Sequence, residues 1–325
     1  MNDGDLMNVF EAKHLKKHFF AGKSAFLGEK KWVRAVDDVS FKLKNGETLG
    51  LVGESGCGKS TLGRTMLKLL EPTSGTLHFK DEEITNKSQK QMKPYRKKMQ
   101  MIFQDPYASL NPRMTIGNII GEPLIVHGIV KTKKECKDKV IKLLEDVGLQ
   151  SNYYDRYPSE FSGGQRQRVM IARVLATEPE VVVADEAVSA LDVSIQSQIL
   201  NLMCDLQDAF KLSYVFISHD LGVVKFIADR IAVMYLGRVV ELADSNELYN
   251  NPLHPYTKVL LGSIPKLEKN EFSTSHLQGE IPSAMNIPKG CRFEPRCEVR
   301  KKECKTVSPE LKEISKDHYV SCILF

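Results

Sequence analysis

The stretch at residues 53–61, G-E-S-G-C-G-K-S-T, limits the fold of this chain more than any other feature. It matches the phosphate-binding pattern G-x-x-x-x-G-K-[ST] without a mismatch. Glycines let the backbone turn its N–H groups towards phosphate oxygens, Lys59 supplies a cation for the outer phosphates, and Ser60 supplies a hydroxyl for Mg²⁺. A buried strand is predicted at 48–52 and a helix at 62–70, which argues against a chance glycine-rich turn. The residues assigned to this nucleotide site are Gly53, Glu54, Ser55, Gly56, Cys57, Gly58, Lys59, Ser60 and Thr61.

Composition narrows the class of protein. The 325 residues are 42% apolar and 27% charged, which is ordinary for a globular chain, and the length favours more than one domain. The net charge of +5 makes no strong case for nucleic acid as a partner. No segment approaches the roughly 18 to 20 apolar residues that cross a bilayer, and the acidic start at Asp3 and Asp5 is unlike a secretory signal. We therefore expect a cytoplasmic chain that serves a membrane process by docking to another subunit.

Residue patterns predict an α/β fold with an N-terminal antiparallel β part and a helical part. Strands are expected at 9–12 and 35–43, separated by a polar loop that holds His18, Phe19 and Phe20. Apolar residues at every third or fourth position predict helices between 115 and 149, with Gly148 as a stop. Further strands are predicted at 76–80, 99–103 and 214–218 and in a hairpin at 231–241, with helices at 193–210 and 256–262.

A second anion-binding signal lies at residues 162–165, S-G-G-Q, which open a predicted helix. Ser162 is a good N-cap, and the turn through Gly163, Gly164 and Gln165 would present backbone N–H groups to an anion. The same four residues also fit a helix cap that binds no ligand.

Two predicted core strands end in residues suited to nucleotide chemistry. The apolar run before Asp185 and Glu186 is typical of a strand buried in a parallel sheet, and ligands bind at the carboxyl ends of such strands. Asp185 could hold Mg²⁺, and Glu186 could orient or deprotonate an attacking water. Both acids could instead cap the next helix, although a phosphate loop in the same chain favours the catalytic interpretation. His219 also ends a core strand and could reach a terminal phosphate, whereas a lone histidine is usually structural.

The order of these motifs resembles that of the ATP-binding cassette ATPases of ABC transporters over residues 8–250. The matching motifs are Walker A at 53–61, the Q-loop at Gln104, the signature at 162–165, Walker B with its catalytic glutamate at 181–186, the D-loop at 189–192 and the switch histidine at His219. The resemblance implies that Phe19 stacks on the adenine ring. It implies a catalytic set of Glu186, His219, Lys59 and Gln104, with Mg²⁺ held by Ser60, Gln104 and Asp185.

The family also implies an assembly. Two cassettes dimerise head to tail, so Ser162 and Gly164 of one chain would serve the nucleotide of the other. The second ATPase subunit would be a paralogue, which is the usual arrangement in the family.

A narrower resemblance, to the ATPases of oligopeptide, dipeptide and nickel importers, rests on three segments. These are QDPYASLNPR at 104–113, SALDVS at 189–194 and NPLHPYT at 251–257. The resemblance implies a peripheral subunit on the cytoplasmic face of the membrane that hydrolyses ATP to power uptake of di- or oligopeptides. Its partners would be transmembrane permease subunits and, indirectly, an extracytoplasmic solute-binding protein. Ala187 stands where most relatives carry proline, but both carboxylates before it are kept.

Other functions compete with peptide uptake. Nickel or another small solute is the alternative within the family. A soluble cassette protein acting on nucleic acid is a rival of another class, but the coiled-coil insertion or tandem cassettes of such proteins are not visible in the sequence.

Four of the seven cysteines crowd into the last 35 residues of the sequence, at Cys291, Cys297, Cys304 and Cys322. Four thiolates can hold zinc or an iron–sulfur cluster, and the lack of C-x₂-C knuckles favours the bulkier cluster. The narrower resemblance implies a [4Fe–4S] cluster, with zinc and unligated thiols as alternatives. We interpret its role as structural, because a short proline-rich segment has little core of its own. In a third interpretation the cysteine segment is the functional part and the ATPase regulates it.

The predicted domains are a nucleotide-binding domain at 1–250, with a helical subdomain at about 110–178, and a cysteine-rich C-terminal extension at 251–325.

Overall fold

The computed structural model describes residues 7–23, 30–263 and 282–325. The chain forms two compact units. The first, called here the helical unit, contains Lys44–Glu47, Asn86–Val215 and the start of the chain up to Val9. The second, called the phosphate-loop unit, contains Phe10–Leu43, Thr48–Thr85 and Phe216–Phe325. In the described ranges, no helix combines the length and the apolar character needed to cross a membrane.

Strands and helices alternate along much of the chain. The strands in the described ranges are β1 (Asn8–Lys23), β2 (Lys30–Lys44), β3 (Thr48–Val52), β4 (Ser74–Phe79), β5 (Glu82–Glu83), β6 (Met99–Ile102), β7 (Val181–Asp185), β8 (Ser213–Ile217), β9 (Arg230–Tyr235), β10 (Arg238–Asp244), β11 (Lys312–Ser315) and β12 (His318–Val320). The α-helices are α1 (Lys59–Met66), α2 (Lys93–Lys98), α3 (Pro106–Ser109), α4 (Ile116–Val126), α5 (Lys133–Asp146), α6 (Gly163–Leu175), α7 (Val193–Phe210), α8 (Leu221–Ile227), α9 (Ser245–Asn250) and α10 (Pro255–Gly262).

The helical unit combines a buried strand pair with packed helices. β6 and β7 run parallel, with Ile102 opposite Ala184, and every residue of β7 is buried. Helices α4 and α5 contact each other, and Ile120 on α4 and Val140 on α5 are fully buried. The capping hydroxyls of Thr115 and Thr132 accept hydrogen bonds from the first turns of these helices. These caps explain where the two predicted helices begin.

The phosphate-loop unit contains strands from two sheets. In one, the order is β2-β1-β4-β5, and β1 pairs antiparallel with β4. In the other, β11, β12, β10, β9 and β3 are successive neighbours. β3 and β9 are parallel, with Val52 opposite Val233, while β9, β10 and β12 pair antiparallel. The fully buried strand β3 delivers the chain to residue 53.

Several sequence predictions were wrong in detail. The predicted loop after residue 12 is instead the continuation of β1, which carries Phe19 and Phe20 to its end at Lys23; residues 24–29 of that loop lie outside the described residues. A register shift between Lys13 and Lys16 lets the strand keep pairing with β4 although its alternation of apolar residues is broken. The helix predicted at 62–70 begins at Lys59, since the left-handed Gly58 ends the loop there, and it ends at Met66.

Candidate functional site

The phosphate loop is shaped by close backbone contacts. Gly53 has φ 148° and Gly58 has φ 109°, conformations that residues with a Cβ rarely adopt. A Cβ on Gly53 would lie 2.1 Å from the carbonyl oxygen of Met234, and one on Gly58 would lie 2.0 Å from that of Ala35. Neighbouring carbonyl groups therefore require glycine at both positions and fix the path of the loop.

Lys59 occupies the interior of this loop. It is the first residue of α1 and is only 5% exposed. Its Nζ donates hydrogen bonds to the carbonyl oxygens of Gly53 at 2.7 Å and Glu54 at 3.0 Å. Burial raises the pKa of the neighbouring Cys57 thiol, an effect that the Lys59 charge partly opposes. Cys57 is therefore a neutral, buried thiol at neutral pH.

The remaining loop positions differ in exposure. Ser55 and Gly56 are exposed, whereas Ser60 and Thr61 are half-buried in the first turn of α1. The helix points its N-terminus at the loop, which favours an anion there.

Two residues that follow β10 in the chain contact Glu54. Arg296 donates two hydrogen bonds to its carboxylate, at 2.7 and 3.0 Å. The hydroxyl of Tyr256 accepts a hydrogen bond of 2.9 Å from its backbone N–H. Sequence reasoning missed both residues, because no local pattern indicates contacts between positions 242 and 202 residues apart.

The helical unit brings Gln104 and Glu186 together. The amide Nε2 of Gln104 donates a 2.7 Å hydrogen bond to Oε2 of Glu186. Asp185, the last residue of β7, is 1% exposed. Glu186 has φ 49°, a left-handed conformation that costs about 1–2 kcal/mol for a residue with a side chain. The chain therefore turns immediately after β7, at Glu186.

The S-G-G-Q segment forms a capping box at the start of α6. The Ser162 hydroxyl accepts a 3.3 Å hydrogen bond from the backbone N–H of Gln165, whose side chain accepts one of 3.0 Å from the N–H of Ser162. A Cβ on Gly164 would lie 2.5 Å from Cγ2 of Ile195 on α7. Glycine at 164 thus allows α6 and α7 to approach closely, and the capping role weighed from the sequence is confirmed.

His219 and Phe19 are both accessible. His219 is exposed just beyond the end of β8, next to Asp220, whose side chain caps α8. Phe19 is 38% exposed on β1, with the ammonium group of Lys17 5.0 Å from its ring centroid. Both side chains therefore have surface exposed to solvent.

The four clustered cysteines line one cavity with about 310 Å³ of empty space, which includes open solvent. All four are free thiols. Burial, and then the neighbouring cysteines, raise the pKa of Cys291 to about 11. The backbone N–H of Lys301 donates a 3.3 Å hydrogen bond to Sγ of Cys304. In the described parts of the chain, no group of three or more His, Cys, Asp or Glu side chains is placed to hold a metal ion.

The fold and these motifs define a P-loop nucleotide-binding protein. The ABC transporter family profile matches residues 36–189, and the profile described as "Oligopeptide/dipeptide transporter, C-terminal region" matches residues 240–304. The second match includes Cys291, Cys297 and Cys304 but ends before Cys322.

Full-length relatives extend the match to nearly the whole chain. The oligopeptide transport ATP-binding protein AppF of Bacillus subtilis is 53% identical over 321 residues, covering 98% of this chain and 97% of the relative. The dipeptide transport ATP-binding protein DppF of Haemophilus influenzae is 50% identical and covers 97% of this chain and 96% of the relative.

Solved structures confirm the cassette fold. A dimeric ATP-binding cassette in a post-hydrolysis state, bound to ADP and Pi, is 26% identical, with a TM-score of 0.65 over 73% of this chain and 98% of that chain. CbiO1 of Clostridium perfringens, part of an ABC transporter complex, is 25% identical, with the same TM-score over 75% of this chain and 92% of that chain. The predicted cassette with an antiparallel β part and a helical part is therefore confirmed. The chain belongs to the ABC transporter family, in the branch of the oligopeptide and dipeptide transport ATP-binding proteins. It is an ABC-type ATPase.

Proposed function

We propose that this chain is the ATP-hydrolysing subunit of an importer that carries di- or oligopeptides across the cytoplasmic membrane. The observation that carries the proposal is the identity of 53% with an oligopeptide transport ATP-binding protein over 98% of the chain. The match includes the C-terminal region that gives the second family profile its name. Peptide is thus favoured over nickel or another solute, and nothing in the described residues favours nucleic acid.

The proposed chemistry is an in-line attack of water on the γ-phosphate of ATP. Lys59 and the loop N–H groups bind the phosphates, Phe19 stacks on adenine, and His219 contacts the γ-phosphate. Mg²⁺, when bound, neutralises phosphate charge. The half-buried hydroxyl of Ser60 and the buried carboxylate of Asp185 are oxygen donors of the kind that this ion prefers, with Gln104 as a further ligand.

Glu186 is proposed as the general base that takes a proton from the attacking water. The Gln104 amide supports this role, because its 2.7 Å hydrogen bond orients the carboxylate and occupies one of its oxygens. Gln104 therefore links a metal ion bound by its own side chain to the position of the Glu186 carboxylate.

Hydrolysis is proposed to require a second cassette. The nucleotide of a second ATPase subunit would be bound by the signature residues of this chain, Ser162, Gly163, Gly164 and Gln165. We propose that this second subunit is a paralogue. The N-terminus of α6 supports this assignment, since its cap Ser162 is exposed and the backbone N–H groups of a helix N-terminus attract an anion. The isolated monomer should bind ATP and hydrolyse it poorly. Permease subunits would hold the assembled pair at the cytoplasmic face of the membrane, with a solute-binding protein as an indirect partner.

The domain division is proposed as predicted: a nucleotide-binding domain at 1–250 with a helical subdomain at about 110–178, and an extension at 251–325. The C-terminal profile match begins at residue 240, close to the proposed boundary, which supports it.

The extension is proposed to hold a [4Fe–4S] cluster on Cys291, Cys297, Cys304 and Cys322, with zinc as the alternative. The four thiols line one cavity, which supports a shared site for a metal centre that thiolates can bind. The test is the absorption spectrum of anaerobically purified protein together with its iron and zinc content. A band near about 400 nm with iron is expected. A colourless protein with one zinc would select the alternative, and a protein free of both metals would refute the metal site.

Transport itself is tested in liposomes that contain the chain with its permease subunits and solute-binding protein. ATP-dependent uptake of a radiolabelled peptide is expected, and Glu186→Gln should abolish it. Uptake of ⁶³Ni²⁺ in place of every peptide from two to five residues would overturn the assignment of the solute.

A further inference from the structure

The charge balance of the phosphate loop depends on a residue far away in the sequence. Between residues 53 and 61 the charged side chains are Glu54 and Lys59, so the loop has no net charge of its own. ATP brings several negative charges to this loop. An unpaired carboxylate at position 54 would repel them, and the repulsion would grow with the charge of the ligand.

Arg296 pairs with that carboxylate in a bidentate arrangement. Its side chain is 4% exposed and that of Glu54 is 19% exposed, so solvent screens the pair weakly. The two hydrogen bonds of 2.7 and 3.0 Å hold the carboxylate on the side of Arg296. A guanidinium group stays protonated at every accessible pH, so Arg296 remains a cation.

Arg296 is itself held by an aromatic cluster. The Tyr235 hydroxyl lies 3.4 Å from its Nη1. The rings of Tyr235, Tyr256 and Phe293 pack with centroid separations of 4.7 to 5.4 Å. The guanidinium group therefore reaches Glu54 from a fixed position at the end of the short 3₁₀ helix Glu294–Arg296.

Tyr256 makes the second contact to the same loop residue. Its side chain is buried, and its hydroxyl accepts the backbone N–H of Glu54 at 2.9 Å. Burial raises the pKa of this hydroxyl, so it remains neutral. The backbone and the side chain of Glu54 are thus each fixed by a residue that follows β10 in the chain.

We propose that Arg296 and Tyr256 are positioning residues for ATP: they fix Glu54, and Arg296 cancels its charge so that the loop stays electropositive. This inference rests on the proposed binding of ATP at residues 53–61. It gives the segment around the clustered cysteines a direct effect on nucleotide affinity, because Arg296 immediately precedes Cys297.

The test measures the affinities of the full-length protein for ATP, ADP and adenosine by competition with a fluorescent ATP analogue. Arg296→Ala should raise the Kd for ATP about tenfold, because it leaves the Glu54 carboxylate unpaired in the loop. The loss should be smaller for ADP and absent for adenosine, since the repulsion acts on phosphate charge. The double variant Glu54→Gln/Arg296→Ala should return to within about threefold of the parent.

Arg300→Ala is the matched control. Arg300 belongs to the same segment, but its ion-pair partner is Glu294, at 3.9 Å, and its side chain is 53% exposed. It should bind ATP like the parent. Equal iron and zinc content and equal thermal unfolding across the variants separate the charge effect from damage to the segment.

Three results would overturn the proposal: an unchanged Kd for ATP in Arg296→Ala, an equal loss for ATP and adenosine, or no recovery in the double variant. If Arg296→Ala does not fold, Arg296→Gln decides, because it removes the charge and keeps most of the length of the side chain. It should also bind ATP more weakly and adenosine like the parent, and an unchanged Kd for ATP would contradict the charge account. A parent protein that binds no ATP would instead refute the proposed function.

Discussion

The Gln104 amide is hydrogen-bonded to the Glu186 carboxylate, 82 residues away, because the two strands that precede them pair in parallel. Ile102 lies opposite Ala184 in this pair, so the positions two residues further along each chain are also neighbours. The contact thus follows from the register of β6 and β7. It joins the proposed general base to the residue proposed to sense Mg²⁺.

Glu186→Gln should retain ATP binding and lose turnover. The amide keeps the size of the side chain but cannot accept a proton, and loss of a general base lowers rates by about a hundredfold or more. Steady-state phosphate release and ATP affinity are the measurements. Near-normal hydrolysis by the variant assembled with its partner subunits would remove Glu186 from this role.

Gln104→Ala should lower turnover about tenfold while leaving the stability of the protein unchanged within about 0.5 kcal/mol, because the lost hydrogen bond lies in an exposed position. Gln150→Ala is the control, since that side chain is exposed and caps no helix. Equal turnover in the two variants would show that the contact to Glu186 does not position the carboxylate.

Gly58→Ala should destabilise the protein more than Gly56→Ala. Both glycines have positive φ, which costs about 1–2 kcal/mol for alanine, but a Cβ has open space at Gly56 and meets the Ala35 carbonyl at Gly58. Thermal unfolding of both variants without nucleotide measures the difference. Similar losses at the two positions would mean that the close approach to Ala35 contributes nothing.

Ser162→Asn separates the capping role of Ser162 from its proposed role at the partner's nucleotide. Asparagine is an equally good N-cap, whereas alanine costs about 1 kcal/mol. Ser162→Asn should therefore unfold at the same denaturant concentration as the parent, whereas Ser162→Ala should unfold at a lower concentration. Both should lose hydrolysis in the assembled transporter. Full activity of Ser162→Asn would indicate that capping is the whole role of the residue.

Asp37→Asn should reduce stability in a pH-dependent way. Burial alone would raise the pKa of Asp37, but Arg292 and a hydrogen bond from His18 lower it below the ordinary value of 3.8. A carboxyl with a lowered pKa in the folded state contributes stability above its ordinary pKa, and loses it as the pH falls towards the lower value. At pH 7 the free energy of unfolding of the variant should be about 3 kcal/mol lower than that of the parent, because buried Arg292 loses its charged partner.

The measurement is the free energy of unfolding in urea of the parent and of Asp37→Asn, at about pH 7 and at about pH 3. The difference between the two proteins should shrink at the lower pH. Asp38→Asn is the control, because Asp38 pairs with an exposed histidine at the surface. A pH-independent difference would exclude ionisation of Asp37 as its source.

Local sequence signals predicted the elements that carry the site. The helix expected at 193–210 is Val193–Phe210, and the strand expected at 48–52 is Thr48–Val52. Ser162 was predicted to be an N-cap because serine at the start of a predicted helix is a common cap, and the structure adds the reciprocal bond to Gln165. In each case the residues that decide the structure lie within a few positions of one another.

Elements that depend on distant partners were not predictable. β12 is three residues long and exists because it pairs with β10, with Val320 opposite Glu241. β11 is fully exposed and shows no alternation of apolar residues. The contacts of Arg296 and Tyr256 with the phosphate loop are of the same kind: neither side chain belongs to a recognisable nucleotide-binding motif.

The pairing of Glu54 with Arg296 has a consequence for biosynthesis. The two residues are 242 positions apart. At about 5–20 residues per second, a ribosome needs roughly 10 to 50 seconds to travel that distance, and Glu54 has no Arg296 to bind during this interval. In the nascent chain the Glu54 carboxylate therefore lacks this ion-pair partner until Arg296 has been synthesised. With Arg296 in the proposed role, the phosphate loop gains its full affinity for ATP only after that point of synthesis.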